Sequence, residues 1–285
     1  MKNCKYIIFV LIYSIIDVLQ TCLTFKLFDN RIRYVGLTDI MTNFELLKIL
    51  HLSLIHHLKP NFFNMSYSAI IFDLDGTLLN TIDDLANSMN LVLEQHDFPV
   101  HPVEQYKLFV GNGMEKLTRR VLPPACTDEN FIKSFLDEFQ NQYGKTWHNI
   151  TKPYPGIEKL LENLAARGIR MSVLSNKTDQ FTQIIIDYFF GLSHFDYVFG
   201  ARTGVPKKPD PIGALEIAKL SNLQPSDFLY LGDSGVDMLT ANAAGMYALG
   251  ATWGFRNTNE LIENGAKKLI YNPSEIIDLI RNTVK

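Results

Sequence analysis

Four short stretches of the chain carry side chains that could do chemistry together. Asp73-Leu74-Asp75-Gly76-Thr77 sets two carboxylates at i and i+2 directly after an apolar run. Carboxylates placed there are costly unless something compensates them, and a divalent cation would do so. Carboxylate and carbonyl oxygens with room for water suit Mg²⁺, and Gly76 lets the backbone turn tightly beside a ligand. Leu174-Ser175-Asn176 offers a hydroxyl and an amide after a second apolar run, where exposed backbone N–H groups could hold an anion. Val205-Pro206-Lys207-Lys208-Pro209-Asp210-Pro211 leads a stiffened lysine into a helix start. An ammonium fixed there is a counter-charge for a phosphate or for a nucleophilic carboxylate. Gly232-Asp233-Ser234-Gly235-Val236-Asp237 adds two carboxylates four residues apart, the first on a loop and the second on an opening helical turn.

Taken singly, each stretch also reads as ordinary structure. The first could be a turn, Ser175 a helix N-cap, Lys207 and Lys208 a solvated pair, and Asp237 a surface residue near a helix N-terminus. The elements that must position them argue for a joint reading. Short apolar runs rich in β-branched residues recur at 69–72, 169–174, 197–199, 228–231, 247–249 and 269–270, as expected of buried parallel strands. Helical patterns lie between them at 157–167, 179–190, 211–220, 236–244 and 275–281, and Gly168, Gly191 and Gly245 stand where the first, second and fourth should stop. This alternation predicts an α/β fold, a doubly wound parallel sheet covered on both faces. All four stretches then fall at strand ends, where ligands bind in such sheets.

One interval breaks the rhythm. Between the first two strands lie nearly a hundred residues with helical patterns at 82–96, 103–109, 114–122 and 130–143. They predict an inserted α-helical cap subdomain at 80–154, with the core at 65–79 and 155–285. Gly111-Asn112-Gly113 opens one of these helices and could present backbone N–H groups to an anionic substrate. The basic residues that follow, Lys116, Arg119 and Arg120, read equally as a solvated face. Trp253 and Phe255 read as packing beside the site, and Cys126 as an incidental thiol.

The four stretches in this order resemble the haloacid dehalogenase-like hydrolase superfamily, in particular its phosphoglycolate phosphatase-like members with a helical cap. Thr240-Ala241-Asn242-Ala243-Ala244-Gly245-Met246 and Trp253-Gly254-Phe255 extend the likeness, which runs from Ser66 to the C-terminus. The resemblance implies a Rossmann-like core and a Mg²⁺-dependent phosphatase of a small phosphomonoester, 2-phosphoglycolate being the first candidate. It implies Asp73 as the nucleophile that forms an aspartyl-phosphate and Asp75 as the acid and base. Ser175 would bond the transferring phosphoryl and Lys208 would neutralise charge. The metal set would be Asp73, Asp75 (through its carbonyl), Asp233 and Asp237. Thr77, Asn176, Gly111, Asn112 and Gly113 would face the substrate. A sugar phosphomutase, a pyrophosphatase and a non-catalytic phosphate-binding module are the alternatives. Asp75 favours phosphatase or mutase over dehalogenation, because a halide needs no protonation on leaving.

Composition sets the outer bounds. With 285 residues, 47% hydrophobic and 20% charged at net −3, the chain is neither disordered nor a polycation for nucleic acid. Three cysteines make no disulfide scaffold, and beyond residue 65 only Cys126 remains, which fits a reducing cytoplasm. The charge is uneven: residues 1–65 hold seven Lys/Arg against four Asp/Glu, and the remainder 20 against 26. The apolar run Tyr6–Ile16 is eleven residues long, well short of the roughly 20 that a membrane span needs. It matches a signal core in length, but no small-residue cleavage site follows, and Leu19-Gln20-Thr21-Cys22 is a distorted lipobox. Thr42 to Leu58 could form an apolar helix. The preferred expectation is that Met65 initiates the chain and that 1–64 is an upstream extension. A membrane partner enters only if residues 1–30 are an anchor.

Overall fold

The computed structural model describes residues 67–280. The expectations for 1–64 and for Met65 lie outside the described residues. Six strands form one parallel sheet: β1 (Ala69–Phe72), β4 (Arg170–Thr178), β5 (Tyr197–Ala201), β6 (Phe228–Gly232), β7 (Tyr247–Ala251) and β8 (Lys268–Ile270), in the order β5-β4-β1-β6-β7-β8. β1 sits centrally, with Ala69 in register with Arg170 on one side and Phe228 on the other. The chain builds outward from β1 to β4 and β5, then crosses to β6 and continues the other way. β1 therefore marks the point where strand order reverses, the position at which such sheets open a crevice at their carboxyl ends.

Side-chain alternation explains how both faces are covered. Along β1 all four residues are buried, and successive side chains point to opposite faces. Ile70 and Phe72 join the core that contains Leu160 and Leu164 of α5 (Ile157–Ala166) and Ile185 and Ile186 of α6 (Asp179–Phe190). Ala69 and Ile71 join the other, with Ala214 and Ile217 of α7 (Ile212–Leu220) and Met238 and Ala241 of α8 (Gly235–Ala244). A continuous apolar run is what a strand covered on both sides requires.

Between β1 and β4 lie α1 (Ile82–Gln95), α2 (Val103–Phe109), α3 (Met114–Val121) and α4 (Glu129–Thr146). They enter and leave through a two-stranded antiparallel ribbon of β2 (Leu79–Asn80) and β3 (Lys152–Pro153). The buried carboxylate of Asp84 on α1 braces this neck. It accepts from Ile150 N at 2.9 Å, Thr151 N at 2.8 Å and Thr151 Oγ1 at 2.8 Å.

Several boundaries differ from the sequence expectation. β4 continues four residues past Leu174, because Thr178 pairs with Ala201 beyond a register shift, so Ser175 lies inside the strand and is no helix N-cap. The helix expected at 275–281 is a 3-10 turn at Pro273–Leu279, opened by a capping box on Asn272. A short helix α9 (Thr258–Glu263), N-capped by Asn257, follows β7. Among the described residues no helix is long and apolar enough to cross a membrane.

Candidate active site

The site forms where β1, β4 and β6 end. The loop after β1 folds back on itself: Leu78 N and Leu79 N donate to Leu74 O at 3.0 and 3.1 Å, and Gly76 N donates to Leu79 O at 2.9 Å. Gly76 has φ +85°, and a Cβ there would lie 2.2 Å from Asp233 Oδ2. Only glycine allows the loop after β1 and the loop after β6 to approach this closely.

Asp73, Asp233 and Asp237 are all buried, and each has a carboxylate oxygen within 4.8 Å of the others. Among the described residues, one ammonium is ion-paired with this group. The buried Lys208 ammonium lies 2.8 Å from Asp73 Oδ1 and 2.7 Å from Asp237 Oδ1. The second oxygen of Asp237 accepts from Ser234 Oγ at 2.6 Å and Ser234 N at 3.2 Å, so this residue also caps α8. Asp233 Oδ2 accepts from Phe255 N at 2.6 Å, and Thr77 Oγ1 approaches its Oδ1 at 3.5 Å.

Charge is therefore unbalanced. Burial first, and then Asp237, raise the Asp73 carboxyl to about 7 even though Lys208 pulls it down. Burial, with Asp237 and Asp73, holds Asp233 well above the usual carboxylate range. Burial alone would lower Lys208, but Asp237 and Asp73 outweigh it and keep the ammonium firmly charged. Three carboxylates around one ammonium leave a deficit of positive charge, and the donors are all hard oxygens. That set fits a divalent cation.

Asp75 stands apart from this group. Its carboxylate accepts from Thr81 Oγ1 at 2.7 Å and is ion-paired with Lys177 Nζ at 2.9 Å. Lys177 escaped the sequence reading. It is buried, and its ammonium also lies 4.9 Å over the Tyr143 ring of α4. Burial would lower it, but Asp75 and then Tyr143 raise it above its ordinary value. A lysine two residues past Ser175 looks solvated in sequence, since its partner lies 102 residues away. The unmet charge of Asp75 was the only signal.

Three of the residues expected to face the substrate carry partners within the protein, and Asn176 among them also lines the cavity. The Asn176 amide is occupied: Nδ2 donates to Gly111 O and Lys208 O at 3.0 Å each, and Oδ1 accepts from Lys208 N at 2.9 Å. Thr77 is fully buried beside Asp233, its carbonyl accepting from Trp253 Nε1 at 3.0 Å. The Asn112 side chain turns away to accept from Arg120 at 2.8 Å. Gly111 and Gly113 do line the cavity with Asp73, Asp75, Ser175 and Lys208. Lys207 is exposed, and Arg119 pairs with Glu115 and Glu129 at the surface. The cavity measures about 40 Å³; Leu85, Val110, Met114 and Leu117 of the helical insertion and Phe255 form its apolar wall, and Asn176, Lys177, Asp233, Ser234 and Arg256 complete it.

Fold and site together define a doubly wound α/β enzyme with a buried carboxylate–lysine centre at the switch point of its sheet. Residues 70–251 match the family model of the haloacid dehalogenase-like hydrolases, and the chain belongs to that family. The phosphoglycolate phosphatase of Nitrosospira multiformis is 30% identical over 224 residues, spanning 78% of this chain and 99% of the relative. That of Pseudomonas syringae pv. tomato is 31% identical over 219 residues, spanning 75% and 78%. The crystal structure of a predicted phosphoglycolate phosphatase from Haemophilus somnus superposes with a TM-score of 0.71 at 29% identity, covering 75% of this chain and 97% of that one.

Proposed function

We propose that the protein is a Mg²⁺-dependent phosphatase of small phosphomonoesters, with 2-phosphoglycolate as the first substrate to test. The observation that carries this reading is the Asp73 carboxylate at the end of β1, paired with Lys208 at 2.8 Å and clustered with Asp233 and Asp237. The names of the relatives support the substrate.

In this reading Asp73 attacks phosphorus in line, the P–O bond to the alcohol breaks, and Asp75 gives the departing oxygen its proton. Water, its proton taken by Asp75, then opens the aspartyl-phosphate and frees phosphate and Asp73. The covalent step divides one hard displacement into two. An anionic nucleophile and an anionic phosphate about 4 Å apart repel by roughly 4 kcal/mol at an effective dielectric near 20. Lys208 offsets part of this from its position against Asp73, and Ser175 donates to the phosphoryl oxygens. Asp73, Asp233 and the Asp75 carbonyl would hold the metal, with Asp237 behind them. When bound, the ion supplies the remaining positive charge on the phosphoryl group. Lys177 and Thr81 orient Asp75. The helical insertion acts as a cap that excludes water. Placement in a reducing cytoplasm rests on the sparse cysteines.

The test is release of free phosphate from 2-phosphoglycolate by the purified chain with MgCl₂. Asp73→Asn should reduce turnover more than about 1,000-fold and leave the far-UV circular dichroism unchanged. Retained turnover in Asp73→Asn overturns the assignment of the nucleophile. Isomerisation of a sugar phosphate without phosphate release would favour a mutase instead.

A further inference from the structure

Helix α2 ends against the core in an unusual way. Its last intrahelical bond is Val110 N to Tyr106 O at 3.0 Å. The carbonyls that follow have no helical donor, as at any helix C-terminus. Two arginines take up four of them. Arg256, on the loop after β7, donates to the carbonyls of Lys107, Leu108 (3.2 Å) and Val110 (2.9 Å). Arg120, from within the insertion, donates to Phe109 O at 2.6 Å. The next carbonyl, Gly111, accepts from Asn176 of β4. Five successive carbonyls are thus satisfied by side chains, four of them by residues of the core.

Both core donors are wired to the reacting centre. Asn176 also holds the backbone of Lys208. Arg256 directly follows Phe255, whose N–H donates to Asp233. Its guanidinium is largely buried and also approaches Glu260 at 3.4 Å, and Glu260 in turn accepts from Gly235 N at the start of α8. The same turn of the insertion carries Val110, Gly111 and Gly113, which wall the cavity with Asp73, and Arg256 itself reaches the cavity's edge, so the hydrogen-exchange readout separates its hold on α2 from any direct effect on substrate.

We propose that Arg256 is a positioning residue that clasps the carbonyl end of α2, holding the helical insertion over Asp73 and linking that closure to Asp233. A planar fork with five donors can bridge three carbonyls at once, and a lysine ammonium cannot reproduce that geometry. The negative end of the α2 dipole adds to the attraction. Without the clasp the closed form is less populated. The apparent affinity for substrate falls by that fraction, while the chemistry within the closed form is unaltered. The catalytic consequence rests on the phosphatase reading; the clasp itself does not.

The experiment compares the full-length chain with Arg256→Ala and Arg256→Lys. Amide hydrogen exchange at 106–113 should accelerate about tenfold or more in both variants, with the β6 amides at 228–232 as protected as in the parent. With 2-phosphoglycolate, KM should rise about tenfold while kcat changes less than about threefold. Unchanged exchange at 106–113, equal acceleration in β6, or an unchanged KM beside a reduced kcat each overturns the proposal. Absence of any phosphatase activity in the parent overturns the functional reading alone, and the exchange measurement still decides the clasp.

Discussion

Stripping divalent metal and raising the pH should destabilise this fold, against the behaviour of most proteins with buried carboxylates in ion pairs. The reason lies in Asp73. Its folded-state carboxyl sits at about 7, against an ordinary value of 3.8. Between these values the folded state binds a proton that the unfolded chain has released, so stability falls as pH rises. The stabilisation is complete below about pH 4 and gone above about pH 7. Between pH 5 and pH 7 the difference covers about two units, or roughly 3 kcal/mol from this group. Asp233 is shifted in the same direction and adds to the slope. Lys208, raised above its ordinary value, titrates outside this window. For a folded unit of this size each kcal/mol moves Tm by about 2–4 °C, so the drop is of the order of 10 °C. The assay is thermal unfolding in EDTA at pH 5 and pH 7.5, with Asp73→Asn as the reference that lacks the Asp73 titration and its effect on Asp233. The wild-type chain should lose stability relative to Asp73→Asn as pH rises. Saturating Mg²⁺ should reverse the loss, because the ion binds only deprotonated carboxylates. A metal-free wild-type Tm that tracks Asp73→Asn across the range refutes the reasoning.

Two further outcomes follow from the same contacts. Lys177→Met should cost about 3–5 kcal/mol in urea unfolding, because it leaves the Asp75 carboxylate without its cation; a loss below 1 kcal/mol would mean that the pair is solvated. Gly254→Ala should weaken Mg²⁺ binding more than about tenfold by calorimetry, since its Cβ would fall 2.2 Å from Asp233 Cβ and 2.4 Å from Gly76 O, where backbone must move.

The strands and helices were legible because their signals are local. A run such as Ala69-Ile70-Ile71-Phe72 has no exposed face to offer, so it must be covered on both sides. A glycine such as Gly191 or Gly245 takes the positive φ that ends a helix. The extension of β4 was not legible, since Ser175 to Thr178 are polar and enter the strand only through pairing with β5. The 3-10 turn at 273–279 was missed for a related reason: its apolar spacing is helical, but Pro273 and the Asn272 capping box set a tighter turn.

The candidate site divides along the same line. By itself the sequence determined which groups stand at the strand ends, because an aspartate or lysine following a buried strand has nowhere to go but the carboxyl edge of the sheet. Asp73, Asp75 and Asp233, which follow β1 and β6, were placed this way. Only the tertiary structure decided how those groups pair. It turned Asp75 to Lys177, spent the Asn176 amide on Lys208 and Gly111, faced Thr77 to Asp233, and brought Arg256 to the end of α2. These are contacts between segments tens to more than a hundred residues apart. A buried polar group takes whichever partner the packing brings within about 3 Å, and that choice is a property of the folded chain.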